Sequence, residues 1–501
     1  MRHAKFLFTL LLLLVISTAA ASEHPRRYLP SSQKMARRVA ANRRSANYVG
    51  DKRQLVLMVA FSDVQFKDEA PLSLWSKIFN QRGFQQEPFH GSVCDYFYDQ
   101  SYGRFSLQFD LHMVTMNTPR TQYSQDDDGL TGVLLCEMLD IMKDDIDDWS
   151  VYDWDGDGYI DQVLILFAGH GQNDSHNIND IYPHQWWLSD PARGHEPTEP
   201  YKVTSGDKEY LIDNYGCFAE LARNGDYGSF GTLCHEYGHC LGLPDFYYGS
   251  STSVVGTWDI MDYGNYNADG FCPPGYSAHE RMVLGWLTPT ELTEAATISN
   301  IAPLSEEPQA YLIRNDGDAN EFYMIENRQQ QGWDASLPGS GILIFHINYD
   351  EEVWHTGVPN DASLKRYTLF HANNSSARSG WAYPYEDNDS LTNLSKPAAT
   401  LLHENADGTK LMSKPVTKMA VDANGLASFV FMGGNLSGIA TTLTDNKEII
   451  GIYDLQGRRL PLASGSLPPA SCFLPLASGP YIIKYANGAT RLSTGNRARC
   501  R

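Results

Sequence analysis

Cysteine, positive charge and long apolar runs are all scarce in this sequence. Eight cysteines in 501 residues are too few for a disulfide-framework fold, and none forms the paired Cys-x-x-Cys spacing of a structural zinc site. A formal net charge of −21 argues against nucleic acid as a partner, because a polyanion needs a basic face. Beyond the N-terminal region no segment approaches the ~20 apolar residues of a transmembrane helix, so no integral membrane span is expected. Long-period internal repeats are missing too. What is present is a globular composition: 42% hydrophobic and 12% aromatic residues supply real cores. A length of 501 residues exceeds one typical domain and predicts two or three folded units.

The first residues set the compartment. Arg2 and Lys5 give a positive start, Phe6 to Ile16 an apolar core, and Ala19-Ala20-Ala21 the small residues of a cleavage site. This reads as a secretory signal peptide over 1–21, cut near Ala21–Ser22, so the mature protein is expected to be exported, extracellular or at the cell surface. Residues 22–53 read as a basic leader or pro-segment with Arg26-Arg27, Arg37-Arg38, Arg43-Arg44 and Lys52-Arg53. Such pairs suit trypsin-like cleavage, and a solvated linker fits them equally well.

At Gln54 the character changes. Leu55 to Phe61 and Gln162 to Ala168 are unbroken apolar runs, the pattern of buried strands. Helix is predicted around Leu72 to Phe79 and, amphipathically, over Thr131 to Asp148. This mixture predicts an α+β unit over 54–289. Short strand patterns follow, EFYMIENRQ (321–329), GILIFHINYD (341–350) and LASFVFMGG (426–434), and predict a β-rich second domain over 290–435. EIIGIYDL (448–455) and GPYIIKYA (479–486) predict a small β-module over 436–501.

The chemistry concentrates in GTLCHEYGHCLGLPDFYYG, Gly231 to Gly249. His235 and His239 stand four apart, so on a helix both imidazoles leave one face and can bind one Zn²⁺. Glu236 can then reach a water at the metal without ligating the metal. There it acts as general base toward the water and as general acid toward the leaving amine. Gly242 lets the helix end and Pro244 stops it resuming, which brings Asp245 round as a third, oxygen ligand. Three protein ligands with one open position is the catalytic arrangement.

The extended HExxHxxGxxD pattern looks like the metzincin signature with aspartate for the last histidine. GTWDIMDYG (256–264) puts Met261 where that clan has its methionine turn, and Tyr263 where some members carry a tyrosine that stabilises the oxyanion. The combination resembles the immune inhibitor A family of secreted bacterial metallopeptidases. The likeness includes YDWDGDGYIDQVLILFAGHG (152–171), IYPHQWWL (181–188), YSAHERMVLGWL (276–287) and ENRQQQGWDASLPGSGILIFHI (326–347). It implies a metzincin-like zinc peptidase domain, protein or peptide substrates, and a β-rich unit packed after it. A non-catalytic surface adhesin on the same fold is the competing class, against which the intact Glu236 speaks. A zinc hydrolase of non-protein substrates is a third.

Asp153, Asp155, Asp157 and Asp161 with Gly156 form the front of an EF-hand-like loop, a candidate Ca²⁺ site. Leu164 stands where the bidentate glutamate belongs, which excludes a complete EF-hand. His170, His184 and His279 lack spaced partners and suit packing or cleft roles. Cys234 and Cys240 lie on different faces of the zinc helix, which disfavours a mutual disulfide. At the C-terminus GIYDLQGRRL (451–460) with GPYIIKYANG (479–488) is similar to the sorting modules of secreted Bacteroidetes proteins. That likeness implies a secretion machinery as partner, and a plain accessory β-domain is the other reading.

Overall fold

The structure, a computed structural model, describes residues 48–124, 130–190, 197–249 and 252–434, and the backbone of strands 449–453, 481–485 and 490–493. The expected signal peptide, leader residues 22–47, Cys472, Cys500 and much of the C-terminal module lie outside the described residues. The chain divides into two compact units, with the boundary between Asn435 and Leu436.

In the first unit the strands up to residue 221 are β1 (Gly50–Ala60), β2 (Phe105–Thr115), β3 (Tyr159–Ile160), β4 (Val163–His170), β5 (His184–Trp187), β6 (Tyr201–Ser205), β7 (Lys208–Ile212) and β8 (Asn214–Leu221). One sheet has the order β2-β1-β4-β8-β5. Its first four members are parallel, and β5 lies antiparallel on the edge. The apolar runs follow from burial on both faces of a parallel sheet. Val56, Met58 and Ala60 of β1 join one core, while Leu55, Leu57 and Val59 join the other. Helices α1 (Pro71–Asn80), α2 (Val93–Gln100) and α4 (Phe230–Cys240) cover the first face, and α3 (Thr131–Met142) covers the second. Ser92 and Asp95 start α2 with reciprocal side-chain bonds to backbone amides, which satisfy two otherwise orphaned donors.

Two boundaries differ from expectation. α3 stops at Met142 rather than running to Asp148, followed by a tight turn over Lys143–Asp145. The Asp148 carboxylate instead caps a new turn through the Ser150 amide, the local bonding by which aspartate competes with a helix interior. β1 begins at Gly50, so Lys52 and Arg53 belong to the sheet rather than to the leader. Arg53 pairs there with Asp110 at 2.7 Å.

Beyond residue 289 come β9 (Thr290–Glu291), β10 (Ala296–Ile301), β11 (Ala310–Arg314), β12 (Glu321–Arg328), β13 (Gly341–Asn348), β14 (Tyr367–Leu369), β15 (Val416–Val421) and β16 (Ala427–Phe431). They form sheets of order β14-β13-β12-β11-β9 and β10-β16-β15. One face of the larger sheet, through Leu312, Phe322, Met324, Leu343, Phe345 and Ile347, joins the same core as α4, Trp258 and Met261. The core is therefore continuous across residue 289. A buried ionic network adds to it. Arg328 meets Glu326 at 3.0 Å and Asp334 at 2.6 Å, and Glu326 accepts from the Ala278 amide of α5 (Ala278–Val283). In the second unit β17 (Ile449–Tyr453), β18 (Tyr481–Tyr485) and β19 (Thr490–Ser493) form an antiparallel sheet in that order. Among the described residues no helix is long and apolar enough to cross a membrane.

Candidate metal centre

α4 lies almost wholly buried between the parallel sheet and the loop over 256–270. Its close seating depends on glycine. At Gly231 a Cβ would stand 1.9 Å from the Asn265 carbonyl oxygen, so any larger residue would push helix and loop apart. The helix ends where Gly242 takes a φ of +91°, a left-handed conformation that costs glycine little. The Leu243 amide then bonds back to Gly238 at 3.0 Å. Past Pro244, the Asp245 amide is tied to Gly357 and the Phe246 amide to Met261, each at 2.8 Å.

This path carries Asp245 back over α4. Its Oδ1 lies 3.1 Å from Nε2 of His235 and 3.1 Å from Nε2 of His239. The three side chains offer ligand atoms within 4.8 Å of one another. The other nitrogen of each ring is already committed, Nδ1 of His235 to the Ile260 carbonyl at 2.7 Å and Nδ1 of His239 to the Leu243 carbonyl at 2.8 Å. A carbonyl only accepts, so Nδ1 carries a proton, and in the neutral ring this leaves the lone pair on Nε2. Two such lone pairs facing one carboxylate oxygen are an unfavourable set without a cation and a natural one with it. Donor atoms about 3.3 Å apart are what tetrahedral bonds of about 2.0 Å produce, so the donor set fits a zinc-sized ion. Glu236 is buried on α4 beside the first histidine.

The turn around Met261 is braced from several directions. Asp259 Oδ1 accepts from the Met261 amide at 2.8 Å. Asp262 Oδ2 accepts from the amides of Val254, Val255 and Gly256 at 2.8, 2.7 and 2.9 Å. Met261 itself packs against α4, its sulfur 2.8 Å from where a Cβ on Gly238 would be. Tyr263 is half-buried, its ring 6.0 Å from that of Tyr247, which lies nearly parallel to His235 at 6.4 Å. Tyr247 was not singled out from sequence, although it stands only two residues after Asp245.

Two further participants come from chain segments with no local signal. Tyr367 of β14 stacks on Phe246 at 3.6 Å, and its hydroxyl lies 2.9 Å from Asp259 Oδ2 and 2.9 Å from Ser277 Oγ. Asn360 donates to the Phe246 carbonyl at 2.7 Å. Burial drives the carboxyls of Asp259 and Glu280 above the ordinary range; the charge of Asp259 raises Glu280 further, and that of Asp262 raises Asp259.

Asp153, Asp155 and Asp157 also bring ligand atoms within 4.8 Å of one another. Asp153 accepts from the amides of Gly156, Asp157 and Gly158. Asp161 is turned to the Trp154 amide at 2.6 Å and does not join that cluster. His170 Nδ1 meets the Ala222 carbonyl at 2.8 Å, His184 Nδ1 that of Tyr182 at 2.7 Å, and His279 packs among Phe322, Trp354 and Tyr367. None of the three histidines belongs to a metal-type cluster among the described residues. Among the described residues Cys94, Cys136, Cys217, Cys234, Cys240 and Cys272 form no disulfide, and the Cys217 sulfur lies 3.3 Å from His184 Nδ1.

Residues 43–282 match the family model described as the immune inhibitor A peptidase M6 catalytic domain. Over that stretch the chain is similar to the immune inhibitor A peptidase family. It is 26% identical over 286 residues to immune inhibitor A of Bacillus thuringiensis subsp. alesti, covering 47% of this chain and 40% of that protein. It is 29% identical over 160 residues to the pre-pro-metalloprotease PrtV of Vibrio cholerae, covering 28% of this chain and 16% of that protein. The chain thus spans well under half the length of these relatives.

Proposed function

We propose that this protein is an exported zinc-dependent endopeptidase with a metzincin-like fold, and that the β-rich part over 290–435 is packed onto the same core rather than forming a separable domain. The observation that carries the proposal is that Asp245 Oδ1 lies 3.1 Å from Nε2 of both His235 and His239, against the helix that also bears Glu236. The names of the relatives, immune inhibitor A and a pre-pro-metalloprotease, favour the same class.

In this reading His235, His239 and Asp245 hold the ion, which when bound lowers the pKa of a water toward neutrality and polarises a carbonyl oxygen. Glu236 takes the proton of the attacking water and passes it to the leaving amine. Tyr263 donates to the carbonyl oxygen as that atom gains negative charge. The carbonyls of Ile260 and Leu243 fix both imidazoles in the tautomer that leaves Nε2 available, and Met261 floors the site. Asp153, Asp155 and Asp157, with Asp161 nearby, are proposed as a separate Ca²⁺ site. The C-terminal module over 436–501 is proposed as the part a secretion machinery reads.

The test is hydrolysis of casein by purified protein with and without a zinc chelator, beside Glu236→Ala and a measurement of bound metal. Chelator-sensitive cleavage is expected, with Glu236→Ala retaining zinc and losing activity by about 10²–10⁴-fold. Cleavage that resists the chelator, or full activity in the variant, rules the mechanism out.

A further inference from the structure

Beside α4 lies an open cavity of about 500 Å³, within the roughly 300–1,000 Å³ of ligand pockets. Ser229 and Thr232 line it at the start of the helix, and Asp174, Arg223, Tyr266 and Asp269 line its other sides. Thr232 stands four residues before Glu236, on the same face of α4. The cavity therefore lies one helical turn along α4 from the carboxylate at which the proposed reaction takes place.

Its charge is unbalanced. Asp174 is half-buried, and its Oδ2 accepts from the backbone amide of Arg223, which holds the carboxylate in place. Asp269 adds a second carboxylate, as exposed and screened as Arg223, and no lysine lines the cavity. The single cation, Arg223, is exposed, so solvent and salt screen it more than they screen Asp174. Asp226, close by, spends its carboxylate on the Gly228 amide at 2.9 Å and on Asn224 at 2.6 Å.

We infer that this cavity receives a basic side chain, Lys or Arg, of the peptide beside the scissile bond. The inference rests on the peptidase reading and deepens it by naming the substrate class. A cation that leaves water needs a fixed anionic partner, and Asp174 is fixed before any substrate arrives.

Peptides carrying Arg, Leu or Glu on either side of one cleavable bond test it through two readouts. Wild type gives kcat/KM, and Glu236→Ala, loaded with zinc, gives calorimetric affinity without turnover. Arg peptides are expected to exceed Leu and Glu peptides by about tenfold in both. Asp174→Asn keeps the acceptor for the Arg223 amide and is expected to bring the Arg-to-Leu ratio near unity. Asp269→Asn lowers the same ratio and serves if the first variant does not fold. Arg223→Gln widens the Arg-to-Glu ratio. A wild type that cleaves casein yet favours Leu or Glu overturns the pocket assignment alone, whereas a zinc-loaded wild type that leaves casein intact overturns the peptidase reading beneath it.

Discussion

The hydroxyl of Tyr367 lies 2.9 Å from Oδ2 of Asp259 across a separation of 108 residues. Asp259 in turn accepts from the Met261 amide at 2.8 Å, and the residue between them, Ile260, offers the carbonyl to which His235 is bonded at 2.7 Å. One phenol from the β-sheet after residue 289 therefore steadies the loop that orients a candidate ligand. The same ring also stacks on Phe246, next to Asp245.

Removing that hydroxyl while keeping the ring isolates the effect. Tyr367→Phe is expected to weaken zinc binding by about 10–100-fold, the usual cost of losing an outer-shell partner. Competition against a chromogenic chelator measures it. Unchanged affinity in a folded variant would separate the sheet from the metal centre.

Gly231→Ala sets two effects against each other. Alanine gains about 1 kcal/mol of helix propensity over glycine. Its Cβ, however, would sit 1.9 Å from the Asn265 carbonyl oxygen, and overpacking of this kind costs about 1–3 kcal/mol. Because the obstacle is backbone and cannot swing away, net destabilisation is expected. Urea unfolding decides the sign, and a stabilised variant would contradict the close seating of α4.

Glu321 predicts an acid-sensitive sheet. Burial alone would lift its carboxyl, but His346 and the amides of Leu402 and His403 outweigh burial and hold it down to about 2. A folded value below the unfolded one of about 4.3 gives stability that is whole above that pH and lost as pH falls toward 2. The stability gap between wild type and Glu321→Gln should therefore narrow between pH 4.5 and 2. A constant gap would show that the carboxyl does not titrate as described.

Asp161 predicts the opposite slope. Burial pushes it up to about 7. A raised folded value gives stability that is whole below about pH 4 and lost as pH rises through 7. Asp161→Asn, which cannot titrate, should lack that slope in thermal scans. If the neighbouring aspartates hold Ca²⁺, added calcium raises Tm at pH 7.5 and does little at pH 4.5. Equal behaviour with magnesium or no cation would dismiss the calcium site.

What could be read ahead of the structure was whatever lies within a turn or two of chain. The spacing of His235 and His239, the helix-ending role of Gly242 and the burial of Leu55 to Ala60 on both faces of the sheet are local consequences of backbone geometry. Lys52 and Arg53 were misplaced because a basic pair looks like a leader until Asp110 is seen opposite Arg53. The end of α3 was overrun because its apolar spacing continues to Ile146 while the aspartates after Met142 prefer turns. Tyr367 and Asn360 could not have been found, since nothing in residues 360–367 signals a metal centre. Their role exists only through β14 meeting the Met261 loop.

The core that runs without a seam across residue 289 has an evolutionary side. A gene fragment ending there would encode α4 and all three candidate ligands, yet its product would lose Leu312, Phe322, Met324, Leu343 and Phe345 from beneath them. Recombination that exchanged the later sheets as if they were a detachable cassette would hand the metal loop a foreign partner. Residues on the two sides of that point therefore depend on one another, and a change to one side is a change to the other's packing.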